Sequence, residues 1–146
     1  MAYSGKFKPK NPQKYKGDPS NIIYRSSYEL KLMFRLDSDP NVVWWGSEET
    51  IVRYRSPVDG KIHRYFIDFH VKVNAGGKTK VLLIEVKPKY QTVPPIITEA
   101  KKKSKKYLRE VMTWGVNSAK WEAAANYARD RGWEFVIFTE KELGIS

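Results

Sequence analysis

Two acidic residues and a lysine stand at the ends of segments that otherwise have the composition of buried strands. Asp68 closes one segment of alternating residues, and Glu85 and Lys87 close the apolar run that follows it. Because side chains alternate along a strand, each of the three shares a face with apolar residues. A buried charge is costly unless it is paired or binds a metal, so these positions are candidates for a functional site.

If the two strands pair as a hairpin, Asp68 and Glu85 come close together on one face. Two neighbouring carboxylates repel each other unless a positive charge lies between them, and a hard divalent cation with oxygen ligands suits that place. Lys87 points the same way as Glu85 and would reach a phosphate or an attacking water. The pattern favours metal-dependent hydrolysis of a phosphodiester bond.

A purely structural interpretation of the same residues stays open at this level. Glu85 and Lys87 can pair with each other or with cross-strand neighbours, and Asp68 can accept backbone N–H groups. Glu29 has two interpretations as well. With Ser26 it has the spacing of a helix capping box, in which the glutamate accepts from the Ser26 N–H. It also lies on the apolar stripe of that helix, where it would serve as a third metal ligand.

Hydrophobic periodicity predicts the elements that hold these residues. A first helix is expected from about Ser27 to Leu36, ended by Asp39-Pro40. Three strands in an antiparallel meander follow, then one or two helices with Gly115 as the break, and a returning strand. After a short apolar run at 42–45, the predicted strand segments are 50–55, Lys61 to about Val73, Lys80 to Lys87 and Trp133 to Phe138.

Positive charge is the dominant feature of the composition. The 146 residues include 27 Lys and Arg against 16 Asp and Glu, a formal net charge of +11, which favours a polyanionic partner such as nucleic acid. We predict an extended basic arm over residues 1–20 and a single domain over 21–146. A basic amphipathic helix follows the central strand. The candidate DNA-binding residues of the arm and helix are Lys6, Lys8, Lys10, Lys14, Lys16, Lys101, Lys102, Lys103, Lys105 and Lys106.

Several classes of protein find no support in the sequence. There is no cysteine, which excludes disulfides, thiol catalysis and Cys-ligated metal sites. The longest uncharged apolar runs fall far short of the roughly 20 residues of a membrane span, so we expect a soluble protein without a membrane partner. No phosphate-binding glycine loop and no serine nucleophile motif is present.

The candidate residues together resemble the PD-(D/E)XK nuclease superfamily. Glu29 lies in a first helix, Asp68 on a second strand and Glu85-Val86-Lys87 on a third, and the chain is similar in these motifs to the amino-terminal endonuclease domain of Tn7-type transposases. Over nearly its full length it also resembles the head completion nucleases of T-even-type bacteriophages. The resemblance implies an α/β fold with a restriction-endonuclease-like core, a mixed central sheet flanked by helices. Ile67 departs from the proline in the superfamily's name.

The resemblance also implies roles for individual residues. Asp68 and Glu85 would bind Mg²⁺ or Mn²⁺, Glu29 would be the acidic residue of the first helix and a further ligand, and Lys87 would be the catalytic lysine. The superfamily often has a lysine or glutamine on the helix after the core strands, and Lys120 is a candidate by position for contact with DNA.

The resemblance to phage proteins implies a biological setting. The substrate would be double-stranded DNA, cut or trimmed late in head assembly, with capsid portal or neck proteins as partners. The protein would act in the host cytoplasm during assembly, with the assembled head as an alternative location. Two other functions stay open: a non-catalytic DNA-binding structural protein of the head on the same fold, and a basic RNA-binding protein.

Overall fold

The computed structural model describes residues 3–96, 98–99 and 104–145. It contains eight named strands and three α-helices in those residues, together with 3₁₀ turns at Pro12–Lys14 and Lys89–Thr92. The helices are α1 (Ser27–Ser38), α2 (Lys105–Asp130) and α3 (Glu140–Leu143). The strands are β1 (Gly5–Phe7), β2 (Ile22–Tyr24), β3 (Val42–Ser47), β4 (Ile51–Arg55), β5 (Ile62–Phe66), β6 (Phe69–Ala75), β7 (Lys78–Val86) and β8 (Glu134–Phe138).

A mixed four-stranded sheet, in the order β3-β6-β7-β8, is the centre of the fold. β3, β6 and β7 pair antiparallel, and β8 returns to lie parallel to β7. Helices flank the sheet, so the chain has the α/β, restriction-endonuclease-like core that the resemblance implies. Among the described residues, no helix is long and apolar enough to cross a membrane.

Each face of the sheet carries its own core. On one face, Leu32 and Met33 of α1 are buried against aromatic residues of the sheet such as Trp45. On the other, Ala124 and Ala128 of α2 are fully buried against the β4–β5 pair and the central strand. The small alanine side chains let the helix backbone approach closely. The two cores hold α1 and α2 at fixed positions on either side of the central strand.

The long strand predicted from Lys61 to about Val73 is wrong, because it breaks at Ile67 and Asp68. β5 pairs with β4 in a separate two-stranded sheet, whereas β6 joins the central sheet. The backbone N–H of Ile67 donates to the Thr50 carbonyl, and that of Glu48 donates to the carbonyls of Ile67 and Asp68. These bonds hold the base of the β4–β5 pair at the edge of the central sheet. Apolar alternation continues through the break, so the pattern does not reveal it.

The predicted helix break at Gly115 is also wrong, since α2 runs without interruption from Lys105 to Asp130. A glycine inside a helix costs only about 1 kcal/mol relative to alanine, which packing against the sheet easily offsets. The Cβ that Gly115 lacks would lie 3.6 Å from Pro57, within ordinary contact distance. Lys101, Lys102 and Lys103 lie outside the described residues.

The described part of the basic segment, residues 3–20, packs onto the core beneath α1. Phe7 and Tyr15 are buried in that core. The carboxylate of Asp37, buried near the end of α1, accepts hydrogen bonds from the backbone N–H groups of Lys10 and Asn11 at 2.9 and 3.0 Å. The segment includes β1, which pairs with β2, and neither strand was predicted from the sequence. The division into an arm and a domain stays a prediction.

Candidate active site

Asp68 lies in the gap between β5 and β6, where the chain enters the central sheet. Its Oδ2 accepts a hydrogen bond of 2.8 Å from the backbone N–H of Val86 at the end of β7. In the β6–β7 pair, Phe69 lies opposite Ile84. The next residues in that antiparallel register are Asp68 and Glu85, so both acidic residues meet at one end of the sheet.

Glu85 is buried, and both of its carboxylate oxygens have partners. The hydroxyl of Tyr65 donates to Oε2, and the ammonium of Lys87 stands 3.8 Å from Oε1. Lys120 of α2 approaches from the other side, with its Nζ 5.4 Å from the centre of the Tyr65 ring. Tyr65 was not predicted as a site residue, because nothing in the pattern distinguishes it from other inward-facing strand residues.

Glu29 lies in the first turn of α1 and lines a cleft of about 420 Å³ together with Lys87. Its backbone N–H donates to the hydroxyl of the N-cap Ser26 at 3.1 Å. Its Oε1 accepts a 3.1 Å bond from the N–H of Arg25, whereas the capping-box prediction had placed that bond on Ser26. Ser26 therefore caps the helix, and the Glu29 carboxylate bonds to Arg25, the residue before Ser26, and faces the cleft.

The pKa values of Glu29, Asp68 and Glu85 are all raised by burial, to about 7 for Asp68 and Glu85. For Asp68 and Glu85, the negative charge of Glu29 raises the pKa further, while the Lys87 ammonium lowers it. Burial, together with the negative charge of Glu29, thus opposes ionisation of Asp68 and Glu85 more strongly than nearby Lys87 favours it. A divalent cation bound beside these carboxyl groups would favour their ionised forms and lower their pKa values.

The donor chemistry at this end of the sheet fits a hard divalent cation, because it consists of carboxylate oxygens. The side chains of Glu29, Asp68 and Glu85 lie farther apart than a set of three metal ligands requires. Within residues 3–96, 98–99 and 104–145, no three His, Asp or Glu side chains lie close enough together to hold a metal ion by themselves. Asp68 and Glu85 meet at the sheet end, and Glu29 does not join them in a compact ligand set.

Glu48 and Arg25 are two residues near the site that were not predicted from the sequence. Glu48 has a φ of 56°, in the left-handed region that non-glycine residues rarely adopt. Its side chain pairs with Arg25 at 3.2 Å, and its charge raises the pKa values of Glu29 and Asp68. No local motif marks either residue, since their contacts join segments that are distant in sequence.

The predicted DNA-binding lysines occupy two separate surfaces. Lys6, Lys8, Lys10 and Lys16 are exposed, whereas Lys14 donates to the carbonyls of Asp37 and Asp39 beyond the end of α1. The Lys16 ammonium lies over the Trp44 ring at 4.2 Å from its centre. Lys105 and Lys106 are exposed in the first turn of α2.

Comparison with known proteins shows the family to which the chain belongs. The family model described as TnsA-like endonuclease N terminal matches residues 39–140, which include Asp68, Glu85 and Lys87 but not Glu29. The "Head completion nuclease" of Enterobacteria phage T4 is 44% identical over 147 residues, covering 98% of this chain and 95% of that protein. The predicted resemblance to both groups is confirmed, and the chain belongs to the TnsA-like endonuclease N-terminal family.

Proposed function

We propose that the chain is a divalent-metal-dependent DNA endonuclease that processes packaged DNA ends in phage head completion. The observation that carries the proposal is the meeting of Asp68 and Glu85 at the end of paired strands, with Lys87 beside Glu85, in a chain of an endonuclease family. The name of the phage T4 relative supports the step in head assembly. In that setting the protein acts in the host cytoplasm during assembly and meets the portal or neck of the filled head.

Each residue of the site has a distinct role on this proposal. The Val86 N–H holds one oxygen of Asp68 and leaves the other for a cation, and the Tyr65 hydroxyl holds Oε2 of Glu85, whose Oε1 faces Lys87. Mg²⁺ or Mn²⁺, when bound, polarises the scissile phosphate and lowers the pKa of a water. Water completes the coordination that the two protein carboxylates leave open.

Lys87 and Glu29 act on the cleft side of the site. The Lys87 ammonium, held near the Glu85 carboxylate, is placed to neutralise charge on the phosphate as the bond breaks. Glu29, which lines the same cleft as Lys87, would add a further carboxylate near a cation bound by Asp68 and Glu85. Lys120 beside Tyr65 and the exposed lysines of the two basic surfaces contact the DNA backbone.

Cleavage of a supercoiled plasmid tests the proposal. Wild-type protein with Mg²⁺ or Mn²⁺ is expected to cut it, and EDTA is expected to abolish cutting. Asp68→Ala, Glu85→Ala and Lys87→Ala should each slow cutting by about two orders of magnitude or more. Glu122→Ala removes an exposed carboxylate on α2 and serves as the matched control.

Two results would overturn the assignment. If the folded wild-type protein binds DNA but leaves it uncut with every divalent metal, the protein is a non-catalytic DNA-binding component of the head. If cutting survives both Asp68→Ala and Glu85→Ala, the nuclease site lies elsewhere in the chain. Folding of each variant is checked by circular dichroism, so that loss of structure is not mistaken for loss of catalysis.

A further inference from the structure

β4 and β5 form a two-stranded ribbon outside the central sheet, and its two faces differ in character. The inner face is buried against α2, with Val52, Tyr54 and Tyr65 as its main contacts. The outer face is exposed and alternates arginine with large apolar side chains. Its residues are Ile51, Arg53 and Arg55 on β4 and Ile62, Arg64 and Phe66 on β5.

The arginines of the outer face repel one another. Arg53 lies directly opposite Arg64 in the antiparallel register, and like charges at such positions destabilise a sheet. Neither forms an ion pair with any residue in the described part of the chain. Asp59, in the turn of the ribbon, pairs with His63 instead. An anion lying against this face would relieve the repulsion between Arg53 and Arg64.

The apolar residues of the same face indicate which kind of anionic partner fits it. Ile51, Ile62 and Phe66 are 42–52% exposed, so they would meet a partner that also offers apolar surface. The major groove of duplex DNA does so, since it presents thymine methyl groups beside phosphates and base edges that bind arginine. It is about 12 Å wide and admits a two-stranded ribbon.

The ribbon leads directly into the candidate active site. Phe66 precedes Asp68 by two residues, and Arg64 precedes it by four. At about 3.3 Å per residue, Arg64 lies at most about 13 Å from Asp68. At about 3.4 Å per base pair, this upper limit corresponds to about four base pairs of duplex.

We propose that the outer face of the β4–β5 ribbon enters the major groove of double-stranded DNA, within about four base pairs of the bond presented to Asp68 and Glu85. The inference rests on the proposed function and specifies which surface of the protein and which groove of the duplex meet. The arginines bind phosphates and base edges, and the apolar side chains pack against the bases.

Equilibrium binding to a short fluorescein-labelled duplex in EDTA tests the ribbon without cleavage. An Arg53→Gln/Arg64→Gln protein should bind about tenfold more weakly, and the slope of log K against log salt should become shallower by about two. Lys78→Gln/Lys80→Gln removes the same charge from exposed positions at the other end of β7. This control should keep the wild-type slope. Methyl green, a major-groove ligand, should displace the protein, whereas netropsin, a minor-groove ligand, should not.

Thermal melting separates loss of binding from loss of structure. Because the two arginines repel each other, the melting temperature of the arginine variant should equal or exceed that of wild type. If the arginine variant binds with the same affinity and salt slope as wild type, the ribbon does not bind DNA. If netropsin displaces the protein and methyl green does not, the protein binds the minor groove and the proposed major-groove contact is wrong. A wild-type protein that binds through the ribbon but never cuts would refute the proposed nuclease while leaving the ribbon intact.

Discussion

The carboxylate of Asp68 accepts a 2.8 Å hydrogen bond from the backbone N–H of Val86, so the end of β7 fixes an acidic residue of the preceding chain segment. A backbone donor stabilises the charged form of a carboxyl group. Burial nevertheless dominates at this position and raises the pKa of Asp68 to about 7. The fold therefore positions a carboxylate where ionisation is unfavourable without a cation.

The first prediction concerns the stability of the metal-free protein as pH changes. Asp68 has a pKa of about 7 when folded against an ordinary value of 3.8, so the folded state binds protons more tightly than the unfolded state. The stability contributed by Asp68 should then be fully present below about pH 4 and be lost as pH rises through about 7, by up to roughly 4 kcal/mol. Asp68→Asn keeps an oxygen for Val86 and removes the charge.

Urea unfolding in EDTA from pH 4 to pH 8 measures this effect. The Asp68→Asn protein should be more stable than wild type at pH 8, and the difference should shrink toward pH 4. Glu122→Gln, at an exposed position, is the control for loss of one carboxylate. A difference between wild type and Asp68→Asn that does not change with pH would show that Asp68 is ionised at little cost.

The second prediction concerns metal binding without reference to catalysis. A cation that binds only the folded protein raises its stability by an amount that grows with cation concentration. At pH 8, millimolar Mg²⁺ or Mn²⁺ should raise the melting temperature of wild type by several degrees, because it neutralises carboxylates that burial disfavours. Asp68→Asn and Glu85→Gln should abolish most of that rise. An equal rise in these variants would place the cation elsewhere.

The site was predicted from sequence only as far as local patterns extend. Asp68, Glu85 and Lys87 stand out because each charge interrupts an apolar strand, and the hairpin register follows from the turn between β6 and β7. α1 was predicted within two residues of its observed ends, because Ser26 and Asp39-Pro40 mark them locally. These features depend on neighbours in the chain.

The rest of the site depends on contacts between distant segments. The Glu48 pair with Arg25 joins residues 23 positions apart, and the Tyr65 bond to Glu85 joins residues 20 apart. The break at Ile67 is set by backbone bonds to the β3–β4 connection, which no side-chain pattern encodes. These tertiary contacts outweigh the alternating pattern of apolar residues from which one long strand was predicted.

The third prediction separates Tyr65 from its neighbour Tyr54. Both rings lie on the buried face of the ribbon, and Lys120 stands 5.4 Å from the centre of one and 5.8 Å from the other. Only Tyr65 has its hydroxyl bonded to Glu85. Tyr65→Phe frees that carboxylate and should slow plasmid cleavage about tenfold at unchanged DNA affinity, because alignment of a catalytic group is lost.

Tyr54→Phe is the matched control for this change and should leave the rate within about twofold of wild type. Single-turnover cleavage at saturating protein isolates the chemical step from binding, and circular dichroism checks the fold. Equal rates for the two phenylalanine variants would mean that the Tyr65 hydroxyl does not position Glu85.

The last prediction concerns His70, which lies on β6 between the rings of Trp44 and Trp133. Its Nδ1 is 2.7 Å from the Thr50 hydroxyl, and the side chain is buried. Burial lowers the pKa of His70 from 6.5 to about 4, and the Lys16 charge adds to the effect. The unfolded state therefore binds the proton more tightly, which is the opposite of Asp68.

Stability contributed by neutral His70 should be fully present above about pH 6.5 and lost as pH falls toward 4. The loss should reach up to about 3 kcal/mol, since each pH unit between the two pKa values corresponds to about 1.4 kcal/mol. His70→Phe keeps the ring contacts and cannot be protonated. Urea unfolding of this variant in the Asp68→Asn background, with that background alone as reference, removes the opposing carboxylate effect. Between pH 6.5 and 4 the reference should lose stability that the phenylalanine protein retains, whereas parallel curves would show that His70 is readily protonated in the folded state.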